Sequence, residues 1–446
     1  MPLADLRFVF GFLPLLLLIT AFVPRKFKPA LLAVGGAVYC VIAGWKNLLF
    51  AALSACIGWL SVSCCPRSMT GRKAAKAKAW ICIDILAQLL LLFFAKSNFL
   101  LTLIPAVQSV CAIFDRVRGN LRAPSLLNYL SYCFSFPRIF GGIPLDLAER
   151  SEINSSPKVS IERIADGIGH IVVGLFKYNV LAIPVGRFYG MICSKEPTQF
   201  FTMLDAWLAA LGIFFMLLYL LQSILEVGQG ILLLLGYNVP DCFDAPNLAS
   251  SLREFFQRLW TPMHRILSKI LGITDENRDD MNILQWGIRV AAVLLPITFL
   301  LFDFSWNLVL FVILALTLLI AERIAEQRKI LDVIPQKVRI IITNLLAVIL
   351  CFILFSGLTT GQFKDAFSLF GTGGFLLSPY AKYALSWYWS NLLLCILCAL
   401  PIRKILKKLC EQHEKLEKAS IIVIPLGELA LLILSIMQIL SSNAGL

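Results

Sequence analysis

Histidine is nearly absent from this chain. Only His170, His264 and His413 occur in 446 residues, and histidine is the one side chain whose ordinary pKa suits proton transfer near neutrality. A site built from several histidines therefore has few places to form. Charge is scarce as well: 15% of residues are charged against 59% hydrophobic, too few to cover a soluble surface. Acidic residues number 27 against 40 basic, a formal net charge of +13. The excess sits in short connections between apolar runs: Arg25/Lys26/Lys28, 67–78, Arg116/Arg118/Arg122, 323–339 and 403–418. Lysine and arginine collect in this way on the cytoplasmic side of helical membrane proteins. These five connections are the cytoplasmic candidates, the lipid bilayer is the expected partner, and nucleic acid is not.

What the chain has in abundance is apolar length. Runs occupy 8–23, 31–45, 48–64, 80–95, 99–114, 168–185, 207–225, 283–301, 308–320, 340–355, 383–400 and 421–440. Many approach the ~20 residues that a helix needs to cross ~30 Å of hydrocarbon. The expected fold is an all-α polytopic integral membrane protein. It has roughly ten to thirteen membrane helices, short or re-entrant ones included, in a single domain over 1–446. The first run is read as a retained span, because Pro24-Arg25-Lys26-Phe27-Lys28 follows it directly without a small-residue cleavage site. The 13 cysteines lie mostly inside apolar runs, where they act as small hydrophobes. Cys395/Cys398 lack a second pair or a nearby histidine, so no metal and no redox cofactor is expected.

Three stretches are polar enough to stand outside the hydrocarbon. Residues 145–167 read as a polar loop with a short helix, and 403–418 as a charged segment closing a span. Residues 247–272 read as an interfacial amphipathic helix interrupted near Pro262, its apolar positions Leu252, Phe255, Phe256, Leu259 and Met263 recurring every 3 to 4 residues. Within the apolar runs the ionisable residues are few: Asp84, Lys177, Asp205, Glu226, Arg289, Asp303 and Glu428. Each is a functional suspect because burying it in lipid is costly. Asp205, Asp303 and Arg289 also suit helix ends. Glu226 and Asp303 have apolar sequence on both sides.

The order of local motifs resembles the membrane-bound O-acyltransferase family, in its bacterial branch that acetylates alginate or D-alanylates teichoic acid. The motifs are Phe8-Val9-Phe10-Gly11-Phe12-Leu13-Pro14, Trp45-Lys46-Asn47, Phe114-Asp115-Arg116-Val117-Arg118-Gly119, Phe136-Pro137-Arg138-Ile139-Phe140-Gly141-Gly142-Ile143-Pro144 and Gly174-Leu175-Phe176-Lys177. Further on come Asp205-Ala206-Trp207-Leu208, Leu235-Gly236-Tyr237-Asn238-Val239-Pro240, Phe243-Asp244-Ala245-Pro246 and Ser305-Trp306-Asn307. The resemblance implies a multi-pass protein of a prokaryotic plasma membrane that takes an acyl thioester or carrier-borne acyl group as donor. It also implies partners among acyl carriers and the proteins that acylate or export cell-envelope polymers.

The departures from that family fall on its working residues. Trp260 and Phe302 occupy the two positions where the resemblance implies histidine, and the acidic motif over 220–226 keeps a carboxylate only at Glu226. Phenylalanine has no proton-accepting atom and the indole offers only an N–H donor. Two groups could take over: His264, four residues beyond Trp260, and Asp303, beside Phe302. The channel-lining candidates are Lys177, Glu226, Trp260, Phe302, Trp306 and Asn307. Two readings follow: a cell-surface polysaccharide acyltransferase with a relocated base, or a non-catalytic scaffold or conduit of the same fold that pairs with an active acyltransferase or polymer exporter.

Overall fold

The computed structural model describes residues 8–24, 27–66, 72–95, 99–141, 160–193, 202–237, 241–272, 282–283, 285–291, 306–359, 375–399 and 414–443. Among these residues the regular structure is helical throughout, with no strand. A chain in hydrocarbon requires this, because each backbone N–H and C=O must find its partner internally. Every apolar run except 283–301 falls on a helix, and most of that run lies outside the described residues. Among the described residues, six helices are long and apolar enough to cross a membrane: Trp45–Cys64, Ala74–Phe94, Ile161–Cys193, Met203–Leu234, Gln336–Phe355 and Ile422–Ser441. Shorter apolar helices, Phe8–Thr20 and Lys28–Ile42, accompany them. The protein is a multi-pass membrane protein.

The first half contains α1 (Leu13–Phe22), α2 (Lys28–Ile42), α3 (Trp45–Cys64), α4 (Arg72–Phe94) and α5 (Phe99–Val117), then the short α6 (Leu126–Cys133) and α7 (Phe136–Gly141). Aromatic rings join its distant parts. Phe136 packs on Phe12 at 5.4 Å between centroids and on Tyr39 at 5.7 Å, and Phe8 lies 5.5 Å from Phe140. The Phe8–Pro14 motif and the Phe136–Phe140 motif are thus one packed cluster. Inside the bundle, Ser109 on α5 donates to the Asp84 carboxyl of α4 at 2.8 and 3.0 Å, and Gln88 pairs with Ser54 of α3. Interhelical bonds of this kind satisfy polar groups that lipid cannot.

The second half is organised around α8 (Ile161–Phe176), a π-helical turn (Lys177–Ala182), α9 (Ile183–Cys193) and α10 (Met203–Leu234). Helix α8 starts at Ile161, with Ser160 Oγ accepting from the Arg163 N–H. The end of the polar 145–167 stretch is therefore helical, and 145–159 lie outside the described residues. Helix α10 carries Asp205 in its first turn, where Oδ1 accepts from the Ser378 N–H at 3.1 Å. Asp205 is therefore a helix-end residue. The amphipathic region forms α11 (Leu252–Leu259) and α12 (Thr261–Leu271), followed by α13 (Trp306–Gln327), α14 (Gln336–Thr359), α15 (Pro379–Cys398) and α16 (Glu414–Asn443). Tyr219 of α10 donates to the Cys395 carbonyl of α15.

What fixes α8 against α10 is the set of glycines at their crossing. A Cβ added at Gly230 would lie 2.6 Å from the Gly167 carbonyl oxygen, and one at Gly174 would lie 2.9 Å from the Ser223 carbonyl oxygen. The two helices touch backbone to backbone at both places, as small residues allow in membranes. We predict that Gly230→Ala, which forces a methyl into that contact, destabilises the protein by ~1–3 kcal/mol. Gly190→Ala, where no atom lies within 4 Å, should leave the thermal midpoint of the nanodisc-embedded chain unchanged. Equal midpoints for both variants would contradict the packing described.

Candidate functional site

Gly167 and Gly174 lie three residues before and four after His170, while Ser223 and Gly230 flank Glu226 at the same spacings. One face of α8 therefore presents its histidine to one face of α10 at the point of closest approach. His170 Nδ1 lies 2.5 Å from Glu226 Oε2, and Lys177 Nζ donates to Glu226 Oε1 at 2.9 Å. The three side chains are 16%, 15% and 12% exposed respectively. Lys177, at the start of the π-helical turn that continues α8, lies two helical turns beyond His170, so a single carboxylate reaches both. An ion pair in such a place is costly to maintain, and intramembrane ionisable groups are concentrated at functional positions.

The backbone is unusual at the same point. Lys177 opens the π-helical turn Lys177–Ala182, a distortion common at functional sites because it widens a helix by one residue. Amide side chains compensate its displaced carbonyls: Asn179 Nδ2 donates to Leu175 O at 3.1 Å, and Asn391 of α15 donates to Val180 O at 3.3 Å. The π turn is thus held from two sides.

A loop and the amphipathic helices close the far end of α10. The Cys242 N–H reaches Gln229 Oε1 at 3.4 Å, the Thr261 N–H donates to Cys242 O, and the Asp244 N–H donates to Arg258 O. Burial pushes the Cys242 thiol up to about 12, with Glu226 and Asp241 adding to the rise and Arg265 opposing it. A thiol so held is a poor nucleophile at neutrality, which argues against an acyl-cysteine route at this position. Trp260 packs on Leu225, Leu232 and Cys242, beside the α10 turn that bears Glu226.

The break in the amphipathic region, expected near Pro262, falls at Trp260 (φ −148°, ψ 74°). Pro262 sits in the first turn of α12, where its missing N–H costs nothing. Trp260 and His264 therefore do not share one continuous helix, although the His264 N–H donates to Trp260 O at 3.0 Å. Helix α11 begins with a Ser251/Glu254 capping box, in which Ser251 Oγ accepts from the Glu254 N–H and Glu254 Oε2 accepts from the Ser250 N–H. The Asp115 motif anchors α12: Asp115 pairs with Lys269 Nζ at 2.8 Å, and Arg118 donates to Lys269 O. Arg289 donates to the Leu271 and Gly272 carbonyls that end α12, so it too serves a helix end.

Of the expected site residues, Glu226 and Lys177 come together. Trp260 lies on the neighbouring hydrophobic cluster, and His264 is half-buried on α12. Phe302 and Asp303 lie outside the described residues. Trp306 and Asn307 open α13, and their side chains are likewise outside the description. Sequence reasoning missed His170, which it counted without placing. Its signal was the seven-residue spacing to Lys177 with Gly167 and Gly174 on the same helical face.

No family model matches the chain. It is similar to the probable alginate O-acetylase of Pseudomonas fluorescens, 22% identical over 286 residues that cover 60% of this chain and 55% of that protein. A likeness to the protein of the same description from Azotobacter vinelandii, also 22% identical, covers 56% of this chain and 55% of the relative. The chain spans about half the length of the curated relatives it matches.

Removing one member of a buried ion pair strands its partner at a cost of ~3–5 kcal/mol, whereas replacing both with apolar groups is often neutral. Glu226→Leu should accordingly lower the thermal midpoint sharply, and Glu226→Leu combined with Lys177→Met should recover most of that loss. Additive losses in the double variant would mean that Lys177 and Glu226 do not depend on one another.

Proposed function

We propose that this chain is a membrane-bound O-acyltransferase-like protein of the plasma membrane that acylates a cell-surface polysaccharide, with O-acetylation as the reaction. The support is the distant likeness to alginate O-acetylases together with the ordered motifs that the described helices pack into one bundle. The observation that carries the reading is the His170–Glu226–Lys177 cluster, a set of proton-handling groups inside the bundle of an otherwise charge-poor chain. Acyl transfer needs a group that accepts the hydroxyl proton as the donor carbonyl is attacked. The acyl donor is a thioester or carrier-borne group, and the partners are acyl carriers and envelope-polymer machinery.

A second reading, a non-catalytic scaffold or conduit of the same fold, draws on Trp260. It packs against the Leu225/Leu232/Cys242 cluster, at the position where the family resemblance implies a histidine. The two readings separate in one assay. The full chain, purified in nanodiscs, is given radiolabelled acetyl coenzyme A and alginate oligosaccharides. Acetate ester on the saccharide above the protein-free rate is the expected result. No transfer, with a second envelope protein co-purifying stoichiometrically, would replace the enzyme reading with the scaffold reading.

A further inference from the structure

The cluster contains more chemistry than a buried ion pair needs. Glu226 Oε1 takes the Lys177 ammonium, and an ionised carboxylate only accepts hydrogen bonds. An ionised Glu226 takes the hydrogen of the 2.5 Å contact with Oε2 from the imidazole, which assigns it to Nδ1. In the neutral ring this tautomer leaves Nε2 as a bare lone pair. Lys177 keeps the carboxylate from turning away, and the His170 Cβ lies against Gly230 of α10, 3.1 Å from where a Cβ on that glycine would stand. A carboxylate that fixes the histidine tautomer and steadies the imidazolium once formed is the arrangement of a general base and its orienting group.

We propose that His170 is the proton acceptor of this site, oriented by Glu226, and that Lys177 positions Glu226. The proposal rests on the acyl-transfer reading above. Its step balances as follows. A saccharide hydroxyl loses its proton to His170 Nε2 while its oxygen bonds to the acyl carbonyl carbon. The carbon–sulfur bond of the thioester then breaks, and the departing thiolate takes the proton from the imidazolium. No metal and no covalent enzyme intermediate is required, in keeping with the inert Cys242 thiol.

The geometry favours His170 over the other histidines. His264 stands on an amphipathic helix beside Arg265, whereas His170 stands between two packed helices with a carboxylate on its ring. His413 lies outside the described residues.

With only three histidines, the proposal can be read directly. Full-length chain carrying 15N-labelled histidine is placed in nanodiscs, and the His170 ring is assigned by loss of its signals in His170→Gln. The expected spectrum at neutral pH shows Nδ1 protonated and Nε2 bare, and Glu226→Gln should disturb it. An Nε2–H tautomer in the native chain would overturn the proposal. In the acetyl coenzyme A assay, His170→Gln and Glu226→Gln should each lower kcat by ~10²–10⁴-fold with little change in KM, while His413→Ala matches the native chain. Transfer that survives His170→Gln but is lost in His264→Ala would overturn this assignment and leave the acyl-transfer reading standing. No transfer by the native chain would instead overturn the acyl-transfer reading, and the tautomer would then decide the proton-accepting pair by itself.

Discussion

Everything distinctive about this protein depends on how closely α8 and α10 approach. Gly167 meets Gly230 and Gly174 meets Ser223 so closely that an added Cβ would press on a backbone carbonyl oxygen. Without that contact the His170 ring could not reach across to Glu226. In water such an approach would be one packing choice among many. In lipid, association relies on van der Waals contact and interhelical hydrogen bonds, so small residues and a polar pair at one crossing support each other. The glycines bring the charged groups within bonding distance, and the bonds then hold the crossing.

The same economy extends outward. A carboxylate inside a membrane protein must be satisfied by protein groups, and four of those among the described residues serve junctions. Asp84 binds Ser109 between α4 and α5. Asp205 receives the first N–H at the start of α15, and Asp115 holds α12 through Lys269. Glu226 differs in gathering two nitrogen side chains from the helix it faces, at the residue where that helix changes to a π turn. Three carboxylates of one chain thus work as fasteners, while the fourth assembles groups that can move a proton.

Much of the fold was legible in sequence because lipid restricts the choices. A run of apolar residues in this chain has to be a helix, and nearly every such run became one. Glu226 and Lys177 were legible too, since charge inside an apolar run stands out. Their pairing was not, because it depends on which faces of two helices some fifty residues apart meet. His170 carried too weak a local signal, a single histidine in a stretch that reads as an ordinary span. The helix break expected near Pro262 turns at Trp260: a proline in the first turn suits a helix, and only the backbone angles reveal which neighbour turns.

The contact between His170 and Glu226 is the central claim, and a cryo-electron microscopy map of the full chain in nanodiscs, sharp enough to place side chains, tests it most directly. The account predicts the imidazole and the Lys177 ammonium on opposite oxygens of Glu226, with α8 and α10 in backbone contact at Gly167 and Gly230. A map with His170 turned toward lipid, or with another helix lying between α8 and α10, would contradict it.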